Sequence, residues 1–323
     1  MKEKAFLNRM TVSGYIFNLE GSRDWDKLQK RVSGENSKNP GQEYVSGVIS
    51  IATDNEALNV VQVHFTYVTP EWGKSGKKNP NYDFLVDLIE RNENGTLKTF
   101  EKCGTDAEKI TVTGDISLNE FVDQEDNFVA VKQIRGSFIG NMTARDTMGA
   151  FFDCEALISN AAVREVEDGE DYMTISGYIF NFRKELLPVQ FTVRIPGGIQ
   201  FFENREVSSK NPFLGKISGE VVSSIVSVAR DDSEADGFGE VKPTTRTIRS
   251  WDISSARETM EFDDEDTLTL SELKKLISDR ADHEAEIRKQ QEERKAARGD
   301  GFDSPKKKAV VETSDDDDED FDF

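Results

Sequence analysis

Three features of this sequence could support catalytic or metal chemistry, and each lacks a required residue. The GKS at residues 73–75 would need a glycine five positions before its own glycine to form a phosphate-binding loop, and Val68 stands there. The acidic stretch that begins at Asp232 resembles the start of a calcium-binding loop, but its twelfth position is Pro243 rather than a glutamate. The chain has only two histidines, which gives no local support for a histidine metal site or a Ser-His-Asp triad. We therefore expect a protein that is not an enzyme and uses no metal or cofactor.

Aromatic side chains recur on one face of two nearly identical segments. Residues 10–18 are MTVSGYIFN and residues 173–181 are MTISGYIFN. Successive residues of a strand point to opposite faces, so Tyr15 shares a face with Phe17, and Tyr178 shares a face with Phe180. Exposed aromatic rings on a strand stack on any nucleic-acid base, for roughly 1–3 kcal/mol per base. The pattern predicts that these four rings stack on bases; the alternative is burial under a helix or against another barrel.

Lysines in three loops are candidates for neutralising phosphates. Each nonamer is followed by the tetrapeptide SKNP, which carries Lys38 in the first copy and Lys210 in the second. A glycine-rich loop, EWGKSGKKNPNY, contributes further lysines and aromatic residues, namely Trp72, Lys74, Lys77, Lys78 and Tyr82. Cations and aromatic rings together are typical of a groove that follows a single strand of nucleic acid, although a lysine-rich loop can also be merely solvated.

Short strands with single internal glycines must position these residues. The segments are rich in Val, Ile, Tyr, Phe and Thr, which favours strands, and a lone glycine in a strand marks a bulge or bend of the kind that a small closed barrel needs. Residues 44–139 give the order strand, strand, helix, strand, strand. This order is similar to the oligonucleotide-binding (OB) fold, a five-stranded barrel. A second barrel would use residues 156–230, after which the β-rich pattern ends.

The predicted fold class is mainly β: tandem OB-fold-like small β-barrels, followed by a C-terminal helix and a disordered acidic tail. Because the nonamer, SKNP and a β-rich stretch recur in the same order, we predict an internal repeat. Thr269 with Glu272 three residues later forms a helix-capping pattern, and the later part of that helix is charged all round, which indicates a solvated or partner-bound helix. The predicted domains are a first barrel at 1–150, a second barrel at 151–250, an acidic linker and charged helix at 251–299, and the tail at 300–323.

Composition favours a water-soluble protein of the cytoplasm. The 323 residues are 36% hydrophobic and 32% charged, with a mean hydropathy of −0.60. The chain shows neither the apolar core of a secretory signal nor an apolar run of about 18 residues that could span a membrane. Its two cysteines show no CxxC spacing, so no disulfide framework is expected. The formal net charge is −21, of which the stretches 1–230, 231–298 and 299–323 carry −7 each, so the body of the chain is only mildly acidic.

The end of the chain combines a run of acids with aromatic residues. The sequence DDDDEDFDF at residues 315–323 cannot fold by itself, because like charges repel and little is available to bury. A purely solubilising tail needs no aromatic residues, so we predict that this segment binds protein partners. The predicted partner-binding residues are Asp315, Asp316, Asp317, Asp318, Glu319, Asp320, Phe321, Asp322 and Phe323.

An acidic run that ends in phenylalanine resembles the C-terminal tip of bacterial and bacteriophage single-stranded DNA-binding proteins. The phage form is the closer match, because no proline precedes Phe323. The resemblance is close over the tip and extends to the barrels only as strand order. It implies a protein that coats single-stranded DNA during replication, recombination or repair, in the host cytoplasm if phage-encoded. It also implies that the tail recruits replication or recombination proteins.

Two other functions stay open at the level of the residues. One is an acidic adaptor or scaffold that binds only proteins and uses its tail as a docking peptide. The other is an RNA-binding regulator, because a barrel distinguishes RNA from DNA through contacts to the 2′-hydroxyl that the sequence does not reveal. No membrane partner is expected. The oligomeric state is open, since a tandem barrel can act alone or the charged helix can pair.

Overall fold

The computed structural model describes residues 6–21, 26–73, 76–123, 125–165, 170–228, 244–258 and 269–297. Its strands are β1 Asn8–Asn18, β2 Gln29–Val32, β3 Glu43–Ala52, β4 Val60–Val68, β5 Glu71–Trp72, β6 Lys77–Lys78, β7 Lys109–Val122, β8 Phe128–Asn141, β9 Gly149–Arg164, β10 Tyr172–Phe180, β11 Leu186–Val193, β12 Phe213–Val228 and β13 Thr244–Glu258. Its helices are α1 Pro80–Glu93, α2 Phe100–Cys103, α3 Pro196–Glu203 and α4 Leu270–Ala297. The acidic stretch from Asp232 to Pro243 and the predicted acidic tail lie outside the described residues.

Five strands close the first barrel in the order β1–β3–β4–β8–β7 and back to β1. β4 and β8 run parallel, with His64 opposite Arg135, and every other neighbouring pair in the circuit is antiparallel. Along the chain, α1 comes after β4 and before β7, which are the third and fourth barrel strands in sequence, as predicted. The short strand β2 pairs with β3. This circuit is that of the OB fold, so the predicted fold of the first barrel is confirmed.

Helix α1 begins where the sequence supplies a cap. The side-chain oxygen of Asn79 accepts a hydrogen bond from the N–H of Asn81 at 3.1 Å, and Pro80 occupies the first turn. The side-chain amide of Asn79 also donates to the carbonyl oxygen of Thr69 at 2.8 Å, which ties the helix start to the end of β4. The helix packs into the barrel core through Leu85, Leu88 and Ile89.

The second barrel closes in the same order, β9–β10–β11–β13–β12 and back to β9, with β11 and β13 parallel. The predicted tandem arrangement is therefore confirmed. The expectation that the β-rich pattern ends near residue 230 is wrong, because β13 follows and extends to Glu258, past the predicted limit at 250. Its sequence obscures this strand, since Trp251 and Ile253 alone among its described side chains are buried in the core. The other domain limits stay predictions.

Backbone pairing joins the two barrels. β1 and β9 are antiparallel neighbours, from Asn8 opposite Cys154 to Ser13 opposite Gly149. The ten strands of the two barrels, together with β2, thus form one eleven-stranded sheet, and one cluster of buried apolar side chains runs through both cores. The barrels are held together by main-chain hydrogen bonds as well as by side-chain packing.

The two nonamers occupy different places in their barrels. The first lies in β1, the first strand of its circuit, whereas the second lies in β10, the second strand of its circuit. The two nonamers therefore lie on strands that are not equivalent in the two barrels. The predicted repeat order, in which the nonamers would align one barrel with the other, does not hold. What the copies share is a glycine that a neighbouring backbone approaches closely. A Cβ added at Gly14 would lie 2.1 Å from the carbonyl oxygen of Ala52, and one at Gly177 would lie 2.1 Å from that of Leu157, so only glycine fits either position.

Helix α4 starts with the predicted capping box. The N–H of Glu272 donates to the hydroxyl of Thr269 at 3.2 Å, and the N–H of Thr269 donates to the carboxylate of Glu272 at 2.9 Å. Leu273 is buried against the outer face of the second barrel, where Leu276 and Ile277 also pack. The apolar first turns of α4 therefore dock on that barrel.

The charged part of α4 binds the first barrel. Arg280 and His283 both contact the carboxylate of Glu120 near the tip of the β7–β8 hairpin, the histidine Nε2 at 2.9 Å. Lys295 forms an ion pair with Asp126 in the turn of the same hairpin. The later part of the helix was predicted to be solvated or partner-bound rather than a core element, and in the structure it contacts this hairpin of the same chain.

Candidate nucleic-acid interface

The aromatic residues of the first nonamer lie on the outer face of β1, where α2 covers them. The ring of Phe100 lies 5.4 Å from that of Tyr15 and 6.2 Å from that of Phe17, centroid to centroid. Tyr15 is only 3% exposed, and its hydroxyl donates to the side-chain oxygen of Asn55 at 3.0 Å. The prediction that Tyr15 stacks on bases is wrong in this structure, because no face of its ring is open. Phe17 is half-buried under the same helix.

The aromatic residues of the second nonamer are also covered, but by other elements. Phe180 is 0% exposed, with the ring of Phe6 stacked on it at 3.9 Å and Leu273 of α4 in the same cluster. Tyr178 is half-buried against this cluster, and its burial raises the pKa of the Tyr178 hydroxyl. The prediction that Phe180 stacks on bases is therefore wrong. The alternative, burial of these rings under a helix, describes the structure.

The predicted phosphate-binding lysines that the structure describes are exposed and lie in three separate segments. Lys38 lies in the connection between β2 and β3 of the first barrel, and Lys210 lies between α3 and β12 of the second. Lys77 and Lys78 form β6, and Lys78 pairs with Asp83 at 2.9 Å. Lys74 lies outside the described residues.

The structure brings two of these lysines beside Trp72. β5 and β6 form a small hairpin in which Trp72 is opposite Lys77 and Glu71 is opposite Lys78. Trp72 is 40% exposed, whereas Tyr82, on α1, is half-buried against the core. This hairpin is therefore the part of the predicted loop that presents both an open aromatic ring and cations.

Two pairs of aromatic side chains lie on this barrel, and of their four rings the sequence singled out only Trp72. Tyr44 on β3 and Tyr67 on β4 have ring centroids 4.6 Å apart, and Trp72 on β5 lies 5.9 Å from Phe138 on β8. Tyr67 is 43% exposed and Phe138 is 57% exposed. We call Tyr44, Tyr67, Trp72 and Phe138 the aromatic row. Its residues lie on β3, β4, β5 and β8.

Backbone irregularities explain why simple alternation misses the row. Alternation places Tyr67 on the same face as the buried Phe65, but Tyr67 has a φ of 54°, a left-handed conformation that reverses its direction. β8 has a bulge at Ser137, opposite the step from Thr113 to Gly114 on β7, which puts Phe138 opposite Thr113 while Arg135 stays opposite Asp115. Residues 135 and 138, three apart, therefore share the outer face.

Charges around the row are mixed. Arg31 on β2 lies directly opposite Tyr44, and Arg135 on β8 forms a two-pronged ion pair with Asp115. His64, next to Arg135, is half-buried; burial lowers the pKa of His64 and Arg249 lowers it further, against the opposing effect of Asp26. His64 is thus neutral at pH 7. The row offers stacking surfaces with cations at its margins.

The predicted partner-binding residues 315–323 lie outside the described part of the chain. Within the part that is described, no group of three or more His, Cys, Asp or Glu side chains is placed to hold a metal ion. None of the described helices is long and apolar enough to cross a membrane.

Two closed circuits of the OB type, joined by β1 and β9, define a tandem OB-barrel protein. The YorF family model matches residues 25–298, and the chain belongs to the YorF family. No curated protein matches the sequence. Among solved structures, the wild-type single-stranded DNA binding protein from Thermus aquaticus is similar at 12% identity and a TM-score of 0.44, covering 81% of this chain and 97% of that one. A deletion mutant of that protein gives 10% identity and a TM-score of 0.44, covering 81% of this chain and 99% of that one.

Proposed function

We propose that this protein binds single-stranded DNA along the outer face of the first barrel, with bases stacked on the aromatic row. The observation that carries the proposal is the exposure of Tyr67, Trp72 and Phe138, which stay 40–57% exposed on adjoining strands. Leaving such large rings open forgoes the stabilisation that their burial would give. In the OB fold, the face of the second and third strands and the adjoining loops bind oligonucleotides, and the row lies on that face.

Phosphates would meet lysines at the edge of the row. Lys77 and Lys78 share the β5–β6 hairpin with Trp72, and Lys38 lies in the loop that leads into β3. Each phosphate that a cation neutralises on a single strand adds about −0.7 to the slope of log affinity against log salt. Three such contacts give a slope of about −2. Binding should therefore weaken moderately with salt and show little base preference, because stacking rather than base-edge contacts holds the strand.

The biological role we propose is the coating of single-stranded DNA during replication, recombination or repair, with the acidic tail recruiting partner proteins. Eight acids lie between residues 312 and 322. As the disordered segment that the sequence predicts, the tail would have an effective concentration on the order of millimolar near the row, enough to compete with DNA. Deleting residues 314–323 should tighten DNA binding, most at low salt.

The terminal phenylalanines should act separately from the tail's charge. Replacing Phe321 and Phe323 by alanine should leave DNA affinity unchanged and abolish capture of replication proteins in a pull-down. If truncation leaves the DNA affinity unchanged, the tail does not compete with DNA. If the alanine variant still captures replication proteins, Phe321 and Phe323 are not the docking residues.

Tryptophan fluorescence tests the proposed binding directly. Trp72 lies in the row, whereas Trp251 is 6% exposed in the core, so a Trp25→Phe background leaves Trp72 as the residue able to stack on DNA. Poly-dT should quench this fluorescence and duplex DNA should not. Quenching by poly-U as strong as by poly-dT would favour the RNA-binding alternative. Absence of both quenching and anisotropy change with every nucleic acid would favour the adaptor.

A further inference from the structure

The turn between β10 and β11 of the second barrel presents an exposed ring on a rigid support. The side-chain oxygen of Asn181 accepts hydrogen bonds from the N–H groups of Arg183 at 2.8 Å and Glu185 at 2.9 Å. Within the turn so fixed, Phe182 is 70% exposed, more than any other large hydrophobic side chain of the described residues. A well-held turn with an open phenylalanine is a candidate contact site rather than a packing element.

Two guanidinium groups from different barrels flank this ring. Arg183 lies 5.2 Å from the ring centroid of Phe182, and Arg135 of the first barrel lies 5.6 Å from it. Asp115 holds Arg135 in place by accepting from its Nε at 2.9 Å and from its Nη2. Among the described residues, no carboxylate lies within ion-pair distance of Arg183. Beside the open ring of Phe182, the site therefore has the guanidinium of Arg135, which Asp115 fixes, and the guanidinium of Arg183, which has no ion-pair partner among the described residues.

The same site adjoins the aromatic row. Arg135 and Phe138 share the outer face of β8, because the bulge opposite Gly114 puts them three residues apart on one side. A strand of nucleic acid lying on Phe138 would reach Arg135 next along β8, and then Phe182 at the second barrel. The turn of the second barrel thus continues the face that the first barrel presents.

We propose that Phe182, Arg183 and Arg135 form a nucleotide-binding site at the junction of the two barrels, which takes one base and its phosphate from the strand bound on the aromatic row. The base stacks on the open ring of Phe182, and the phosphate meets Arg183 and the remaining Nη1 of Arg135. This inference rests on the proposed function and adds to it that a bound strand crosses from the first barrel to the second.

The test compares two lengths of fluorescent oligo-dT, one of about 6 nucleotides that a single barrel can hold and one of about 20 nucleotides that can span both. Phe182→Ala should weaken binding of the longer oligonucleotide by about 5- to 150-fold, the range expected when one stacked base is lost. The shorter one should bind Phe182→Ala as it binds the wild type. Phe151→Ala is the matched control, since Phe151 is a 38% exposed ring on β9 outside the proposed path.

Three outcomes separate this site from the proposed function. Selective loss of affinity for the longer oligonucleotide supports the junction site. Equal affinity of wild type and Phe182→Ala for the longer oligonucleotide, with wild type binding both lengths, overturns the junction site alone. Wild-type protein that binds neither length overturns the proposed function and the junction site together. Thermal unfolding of Phe182→Ala checks that its fold is intact, as expected for an exposed turn.

Discussion

The outer faces of the two barrels carry similar aromatic residues in opposite situations. On the first barrel, Tyr67 and Phe138 remain 43% and 57% exposed beside Trp72. On the second barrel, Phe180 is 0% exposed beneath Phe6 and the first turns of α4. Because the strand circuits are the same, the difference in exposure comes from the elements that cover each face. The open face is suited to binding, and the covered face contributes to stability.

This difference predicts opposite responses to aromatic truncation. Phe180→Ala should lower the free energy of unfolding by about 3–5 kcal/mol, because it removes a fully buried ring and leaves a cavity. Phe138→Ala should change it by about 0.5 kcal/mol or less, because its ring is largely in water. Denaturant unfolding of both variants measures the contrast. Equal losses would mean that the two faces do not differ as described.

A smaller effect should come from the ion pair that holds α4 to the first barrel. Arg280 and Glu120 are each 11% exposed, so removing the guanidinium leaves the carboxylate with His283 as its remaining partner on α4. Arg280→Met should cost about 2 kcal/mol, less than the roughly 3–5 kcal/mol of a completely buried pair. Adding Glu120→Gln to Arg280→Met should recover part of that loss in a double-mutant cycle. Purely additive costs would show that the pair does not hold the helix.

The smallest effect, taken per pH unit, concerns Lys132, a second cation of β8. Arg135 faces the open side, whereas Lys132 contacts the second barrel. The Nζ of Lys132 lies 5.3 Å from the ring centroid of Phe191 and 5.2 Å from that of Trp251. It donates a hydrogen bond to the carbonyl oxygen of Gln190. Burial lowers the pKa of Lys132 to about 7. Between pH 7 and the ordinary lysine pKa of 10.5, the unfolded chain keeps the proton that the folded chain has released.

Stability should therefore rise with pH across this window, by at most about 1.4 kcal/mol per pH unit for one proton. Lys132→Met, which keeps the apolar stem, should lack this contribution. The measurement is the difference in unfolding free energy between wild type and Lys132→Met at pH 7, 8 and 9, values at which both should be folded. A difference that does not change with pH would show that Lys132 keeps its ordinary pKa.

Much of the fold follows from the sequence, because its signals are local. Alternating apolar residues and single glycines predict the strands, Asn79 with Pro80 marks the start of α1, and Thr269 with Glu272 marks that of α4. β13 escapes this approach because, among its described side chains, only Trp251 and Ile253 are fully buried in the core. A strand with so few buried residues is recognisable only once the barrel around it is closed.

The candidate site follows from the sequence far less well. Alternation correctly placed Tyr15 and Phe180 on outer faces, but whether such a face is open depends on α2 and α4, which lie far away in the chain. Conversely, Tyr67 becomes exposed through one positive φ, and Phe138 through one bulge. Neither irregularity has a sequence signal as strong as a periodic pattern. The fold is therefore largely predictable from the sequence, whereas the site depends on tertiary contacts and backbone irregularities that are not.

The measurement that tests the central claim most directly is the affinity of the Tyr67→Ala/Phe138→Ala double variant for oligo-dT, by fluorescence anisotropy, beside wild type and the Phe151→Ala control. Loss of two stacking rings should weaken binding by about 2–6 kcal/mol in total, with Phe151→Ala close to wild type and all three proteins equally stable. If the double variant binds oligo-dT as tightly as the control does, the aromatic row is not the binding face.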